Sequence, residues 1–195
     1  MKPMYEGSVD FSVMPKVQTK IKRIHHVAYR CKDAKETVEF YKEMLGMDFK
    51  LAIAEEKVPS TKEPDPYMHV FLDAGMGNVL AFFELPNSPP MEKDPCTPNW
   101  VQHIAFEVDF PQDMLDIKRK LEQSGLEVLG PIDHKIFKSI YFFDPNGHRI
   151  EIALNTGSIK DLERLNLVAD EMLEEWSATK QAPKHASWLH EGEFS

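Results

Sequence analysis

The feature that most constrains this chain is an internal repeat, because one succession of segments occurs twice within its 195 residues. IHHVAYRC corresponds to VQHIAFEV, FYKEMLGM to IKRKLEQSG, and VLAFFELP to HRIEIALN, in the same order. Neither half holds enough apolar residues for a good core of its own. We therefore predict two related modules that share one sheet system.

Each half shows the periodicity of a strand, a helix and three further strands, which predicts an α+β fold of two tandem βαβββ modules. Asp33 is placed to cap the first helix, and Gly46 follows where a left-handed stop belongs. The predicted boundaries are an arm at 1–20, a first module at 21–86, a proline-rich linker at 87–99, a second module at 100–157, and a C-terminal helix and tail at 158–195.

Composition excludes several classes of function. With 23 Lys and Arg against 32 Asp and Glu, the net charge of −9 argues against nucleic-acid binding. No apolar run approaches the ~20 residues that span a bilayer, and the first residues lack the apolar core of a signal peptide. Cys31 and Cys96 form no disulfide framework. We expect a cytoplasmic protein that handles a small molecule and binds neither nucleic acid nor membrane.

Two imidazoles and two carboxylates occupy what look like matching places in the halves. His26 and His103 lie on the first strand of each module, and Glu84 and Glu151 on the last. An approximate two-fold axis would bring these four strands to one cleft, where the side chains would form a ligand set for Fe(II), Ni, Zn, Co or Mn. Taken singly, each has a plainer interpretation as a surface or core residue of a strand.

The neighbouring His25 is not part of this predicted set. Successive side chains of a strand point to opposite faces, so only one of His25 and His26 can reach the cleft. Matching QHIA to HHVA selects His26.

The repeated HVAY and HIAF strands, FYKEMLGM and YFFDPNGHRIEI resemble the vicinal-oxygen-chelate superfamily over about residues 22–155. That superfamily includes glyoxalase I, methylmalonyl-CoA epimerase and the type I extradiol ring-cleaving dioxygenases. The resemblance implies that the paired modules form a curved, mixed sheet around a divalent metal. It also implies a small-molecule substrate that presents vicinal oxygens.

A longer signature is similar to that of the one-domain extradiol dioxygenases, which cleave catechols with O2. It is matched by Ile132, His134, Ile140, Tyr141, Asp144, Pro145, Gly147 and Glu151, with every interval inside the allowed limits. The resemblance implies that His26, His103 and Glu151 form a 2-His-1-carboxylate site for Fe(II). It implies that His134 and Tyr141 donate hydrogen bonds to the bound oxygens.

Two departures leave the reaction open. The acid–base histidine of the larger extradiol enzymes aligns with Asn78, which cannot carry a proton at neutral pH; His69 on the neighbouring strand is a candidate replacement. Glu84 matches the extra carboxylate of glyoxalase I, which the extradiol triad lacks.

The number of protein ligands decides between the candidate reactions. Three ligands leave about three positions on an octahedral ion, enough for a catecholate and O2, whereas four leave room only for a chelating enediolate. We predict the Fe(II) dioxygenase, with a glyoxalase-I-like lyase or epimerase using Ni, Zn, Co or Mn as the alternative. A metal-free binding module is disfavoured, because such relatives generally lack the ligands.

The segment after the second module predicts one helix over 158–180, with Leu162, Leu165, Val168, Met172 and Trp176 at helical spacing. We expect this apolar stripe to pack on the module pair or on a second subunit of a homodimer. His185 and His190 follow in a tail that we expect to be solvated.

Overall fold

A computed structural model describes residues 21–92 and 94–190. The predicted arm at 1–20 lies outside the described residues. The first module comprises β1 Val27–Cys31, α1 Ala34–Leu45, β2 Asp48–Glu55, β3 Tyr67–Asp73 and β4 Val79–Glu84. Its strands form a four-stranded sheet in the order β1-β4-β3-β2, in which β1 is parallel to β4 and the other pairs are antiparallel.

The second module repeats this topology. Its elements are β5 His103–Glu107, α2 Pro111–Gln123, β6 Leu129–Asp133, β7 Phe137–Phe143 and β8 Arg149–Asn155. The sheet order is β5-β8-β7-β6, again with one parallel pair, β5 with β8. The predicted α+β fold of two βαβββ modules is confirmed, and each module has its own four-stranded sheet.

The first helix begins and ends where its sequence signals lie. Asp33 accepts a hydrogen bond from Glu36 N at 2.8 Å, which satisfies one of the free N–H groups of the first turn. Gly46 ends the helix at φ 68°, a left-handed conformation that glycine adopts without strain.

The helices lie between the two sheets and share one core with them. On α1, Phe40 meets Phe142 of β7 and Tyr41 meets Phe82 of β4. Core side chains from both modules form a single cluster, which includes Leu72, Leu80, Met114, Leu121, Ile140, Ile150 and Ile152. Because strand side chains alternate between faces, the other face of each sheet points away from this core.

This arrangement corrects the expectation of one cleft enclosed between the two halves of a chain. Each sheet keeps an outward face, and all eight residues of β2 are exposed. Phe49, Leu51 and Ile53 of that strand are each at least 43% exposed. The two predicted half-sites therefore lie on two open faces of the same chain.

Buried polar contacts tie α1 to the turn between β7 and β8. Tyr41 donates a hydrogen bond to Asp144 Oδ2 at 3.1 Å, and Asn146 Nδ2 donates to Thr37 Oγ1 at 3.1 Å. His148 Nε2 lies 2.7 Å from the carbonyl oxygen of Arg30. Because unpaired buried polar groups are costly, these contacts fix the relative position of the modules.

The predicted single C-terminal helix is two helices, α3 Ile159–Leu167 and α4 Ala169–Thr179. They are separated at Val168, whose N–H bonds the carbonyl of Leu165 at 3.3 Å instead of continuing the i−4 ladder. No residue of either helix is buried, so among the described residues the helices do not form the expected buried packing on the module pair. None of the helices in the described part of the chain has the length and apolar character to span a membrane.

Candidate metal centre

The open face of the second sheet brings two of the predicted ligands together. His103 begins β5 and Glu151 lies in the middle of β8, where it pairs with Ala105. His103 Nε2 is 2.9 Å from Glu151 Oε2. The Glu151 side chain is only 4% exposed, and a carboxylate so removed from water needs a compensating positive charge or donors.

The tautomer of His103 is fixed by its second ring nitrogen. Nδ1 lies 2.9 Å from the carbonyl oxygen of Val101, which can only accept, so Nδ1 carries a proton. In neutral His103 the Nε2 lone pair then faces the Glu151 carboxylate. A histidine held in this way by a backbone carbonyl is the usual arrangement of a metal ligand.

The spacing of these two atoms fits one divalent ion. Neighbouring ligands of an octahedral ion, each bound at about 2.1 Å, lie about 3.0 Å apart. The observed separation of 2.9 Å agrees with that distance. Without a cation, the lone pairs of Nε2 and Oε2 repel each other. A cation bound to both atoms would replace this repulsion by two attractive interactions.

The other carboxylate oxygen of Glu151 ends a hydrogen-bond chain. Tyr141 on β7 donates to Oε1 at 3.0 Å, and Ser139 also donates to it. The Tyr141 hydroxyl lies 2.9 Å from Nε2 of His134. Since its own proton is given to Glu151, Tyr141 accepts from His134, and the chain runs from imidazole to hydroxyl to carboxylate.

Tyr141 keeps its proton over the ordinary pH range. Burial raises the pKa of its hydroxyl, and the adjacent Glu151 carboxylate raises it further. The guanidinium of Arg149 lies 4.2 Å from the centre of the tyrosine ring, a cation–π contact that holds the ring in place. Tyr141 is therefore an oriented hydrogen-bond donor and acceptor at neutral pH.

His26 lies on the other sheet's open face, just before β1. It is exposed, its Nδ1 is 2.8 Å from Nδ1 of His25, and its ring meets those of His69 and Phe71. Among residues 21–92 and 94–190, no three His, Cys, Asp or Glu side chains lie close enough to hold one ion. One chain thus joins His103 with Glu151 and keeps His26 apart from them.

His69 is beside His26, as expected for neighbouring strands. Its ring is stacked on Phe83 with centroids 3.6 Å apart and is 8% exposed. Its Nε2 has no hydrogen-bond partner among the described residues. Burial and the nearby His26 lower the pKa of His69, so the imidazole is neutral.

Glu84 does not occupy the place equivalent to Glu151. Two residues after His26 and His103, the strands pair Ala28 with Ala81 and Ala105 with Glu151, so Ala81 holds the equivalent position. Glu84 lies three residues farther along β4, on the other face, and accepts the Ala34 N–H at 2.7 Å. The predicted equivalence was wrong because the markers were aligned by composition and not by strand register.

Ser139 and Arg149 also contact the site residues but were not predicted from the sequence. Ser139 precedes Tyr141 by two residues on β7, so strand alternation would have placed both on the face of Glu151. A cavity of about 670 Å³ lies beside His103, and Lys32, Met91, Phe143, His148 and Arg149 are among its lining residues. This volume is in the range of small-molecule sites.

The family model of the Glyoxalase/Bleomycin resistance protein/Dioxygenase superfamily matches residues 23–152. The chain belongs to this superfamily, also called the vicinal-oxygen-chelate superfamily. It is 32% identical over 145 residues to the metallothiol transferase FosB of Staphylococcus haemolyticus, covering 72% of this chain and 88% of that protein. The predicted family is confirmed, and its metalloenzymes bind a divalent metal and a small-molecule substrate.

Two further proteins are similar to this chain. Biphenyl-2,3-diol 1,2-dioxygenase 2 of Rhodococcus globerulus is 33% identical over 61 residues, 31% of this chain and 32% of that protein. A glyoxalase/dioxygenase from Nostoc punctiforme shares the fold, with a TM-score of 0.55 and 23% identity over 77% of this chain and all of that chain.

Proposed function

We propose that this protein is a divalent-metal enzyme whose metal centre has three protein ligands supplied by two copies of the chain. His103 and Glu151 of one copy would hold the ion together with His26 of a second copy. The 2.9 Å pair of His103 and Glu151 supports the first part. Three ligands leave about three positions of an octahedral ion for substrate.

The open faces of the two sheets support the proposal that a second copy supplies the third ligand. Within one chain the core and both helices lie between His26 and the other two ligands, so closing the site inside one chain would require taking the core apart. A two-fold pair can place the open face of the first sheet of one copy against that of the second sheet of the other. Such pairing would also bury the exposed apolar residues of β2.

The first candidate reaction is extradiol-type cleavage of a catechol with Fe(II) and O2. The hydrogen-bond chain from His134 through Tyr141 to Glu151 carries this proposal, because both donors of the extradiol signature lie next to a ligand carboxylate. The position of Glu84 removes the reason for a fourth ligand. The lyase or epimerase alternative loses its main support in the same way.

Each side chain then has a defined task. An ion held by His103, Glu151 and the second copy's His26 would supply Lewis acidity and, as Fe(II), redox chemistry. Tyr141 and His134 would hold protons at Oη and Nε2, and each proton would turn from its acceptor in this structure, Glu151 Oε1 or Tyr141 Oη, to a substrate oxygen. Phe143 and Met91 would give the ring an apolar wall. The stacked rings of His69 and Phe83 would form the opposite wall in the second copy.

Thiol transfer is the second candidate. It is supported by the 32% identity to a metallothiol transferase, which extends over 88% of that protein, whereas the dioxygenase match covers 32% of its counterpart. A three-ligand centre is compatible with both reactions.

Oxygen uptake separates the two candidates. We expect anaerobically reconstituted Fe(II) protein to consume one O2 for each catechol or biphenyl-2,3-diol added. The Tyr141→Phe variant should retain the metal but lose about 10²–10⁴-fold in kcat, the usual effect of removing a positioned proton donor. Thr61→Val, which removes an exposed hydroxyl of the loop between β2 and β3, is the control and should leave the rate unchanged.

The same preparations test the second candidate with a low-molecular-weight thiol and fosfomycin, the compound in the name of the structurally similar fosfomycin resistance protein FosX of Mesorhizobium loti. Mass spectrometry then detects any thiol adduct. A thiol adduct without O2 uptake would replace the dioxygenase by the transferase. If the protein retains no divalent metal after incubation with excess Fe(II), Mn(II), Ni(II) or Zn(II), the proposed metal enzyme is wrong.

A further inference from the structure

We propose that helix α4 of one copy docks on residues 21–26 of a second copy, directly beside the His26 that completes the metal centre. This inference rests on the proposed two-copy site and extends it to a segment outside the family match at 23–152. It assigns a partner to α4, whose described contacts within its own chain are with α3 and the tail that follows it.

Helix α4 offers an acidic and apolar surface. Its carboxylates are Asp170, Glu171, Glu174 and Glu175, and no Lys or Arg lies between residues 165 and 179. His185 of the tail pairs with Glu175 at 2.7 Å and Glu171 at 3.7 Å. Asp170, Leu173 and Glu174 share another stripe of the helix, because positions three and four apart are neighbours.

The apolar part of this surface is too exposed for a helix with no partner. Leu173 is 65% exposed and Trp176 47% exposed. On α3, Leu167 is 80% exposed and Ile159 76% exposed. Leu173 and Trp176 are three positions apart and so lie on one side of α4, and exposed apolar side chains placed together in this way are typical of an interaction site.

Residues 21–26 offer the complementary surface. Ile21 is 93% exposed and Ile24 64% exposed, with Lys22 and Arg23 between them. From residue 21 to residue 32 the chain contains four basic residues and no acidic one. Arg23 Nη1 donates to the Gly77 carbonyl at 2.8 Å, which holds the segment against the β3–β4 turn.

Both surfaces lie at the edge of the proposed shared site, α4 on the copy that supplies His103 and residues 21–26 on the copy that supplies His26. Thr156 N and Gly157 N bond the carbonyl of Ile136 at 2.9 and 2.8 Å, so α3 leaves the body next to the His134 loop. The nine residues of α3 span about 14 Å, which keeps α4 near that rim. Placing His26 of a second copy at His103 brings residues 21–26 to the same rim.

Cross-linking tests the contact without using metal or activity. In a Cys96→Ser background, one tagged chain carries Ile24→Cys and a differently tagged chain carries Leu173→Cys. We expect a short bismaleimide to join the two chains after mixing. Glu39→Cys on α1, paired with Leu173→Cys, is the exposed control and should not be joined.

Charge exchange tests the complementarity. Lys22→Glu and Glu174→Lys should each weaken self-association by about three- to tenfold at low salt, and the double variant should restore most of it. Lys35→Glu is the surface control and should have no effect. Sedimentation at several salt concentrations measures the change, which should shrink as salt rises.

The outcomes separate this inference from the proposed function. Cross-linking between chains with rescue by the double variant supports the contact. A dimer that retains its metal but shows no cross-link or no rescue overturns the contact and leaves the metal centre standing. A monomer without metal overturns both. If a chain that carries both Ile24→Cys and Leu173→Cys is cross-linked within itself while the two singly substituted chains are not joined, the second copy is not the partner.

Discussion

Cys31 ends β1, and its thiol is held out of water by the packing around α1. Only 1% of the residue is exposed, and burial raises the pKa of the thiol from 9.0 to about 11. The nearby Glu84 and Asp33 carboxylates add to the rise, although a hydrogen bond with Thr37 opposes it. A thiol with this pKa is neutral and unreactive at physiological pH.

This shift predicts a loss of stability in alkali. Below pH 9 the thiol is protonated in both states and contributes no pH dependence. Between pH 9 and 11 the unfolded chain releases a proton that the folded chain keeps, so the free energy of unfolding should fall by about 2 kcal/mol. Urea titrations at several pH values give the free energy of unfolding, which should fall more steeply with pH in wild type than in Cys31→Ala. Cys96→Ser, at the exposed cysteine, should follow wild type. The prediction is wrong if the free energy of unfolding falls equally with pH in Cys31→Ala and wild type.

Among the helices and strands, the strand register and the helix ends determine which predicted residues lie at the candidate site. Asp33, Gly46 and the 144–147 turn are local signals, so α1 and the β7–β8 hairpin were predictable from sequence. Register and the break at Val168 depend on contacts between distant or weakly specified segments. This is why Glu84 was aligned with Glu151 and why one helix was predicted where two exist.

The position of Glu84 leads to a direct test of the ligand number. Glu84→Ala removes the acceptor of the Ala34 N–H at the start of α1, so the free energy of unfolding should fall by about 1 kcal/mol. The bound metal per chain should stay the same. Glu151→Ala is the comparison and should abolish metal binding; loss of metal in both variants would restore the four-ligand site.

For the whole molecule, the two modules were predictable from the sequence, but the way in which they pack against each other was not. The repeat established two βαβββ units, but nothing in it distinguishes helices packed between the sheets from helices packed outside them. That choice depends on long-range contacts such as Phe40 with Phe142. In the proposed metal centre, it decides whether His26 would meet His103 of its own chain or of another.

Mixing inactive variants tests the two-copy site. In the doubly tagged fraction, which holds only mixed dimers, co-expressed His26→Ala and His103→Ala chains should recover about half of the wild-type metal content, because each mixed dimer holds one intact site out of two. His26→Ala with Glu151→Ala should recover equally. His103→Ala with Glu151→Ala should recover none, since both losses fall on the same half-site. Equal failure of all three mixtures, measured by metal analysis of the doubly tagged fraction, would place the site within one chain.

The polar contacts between α1 and the β7–β8 turn have a consequence for how a guest would enter. Tyr41 with Asp144, and Thr37 with Asn146, join the halves of one chain through buried groups that are costly to separate. The halves should therefore move as a single rigid block. Under the proposed pairing, the motion that admits or releases a small molecule would occur at the interface between the two copies. The rate of turnover would then depend on the stability of that interface.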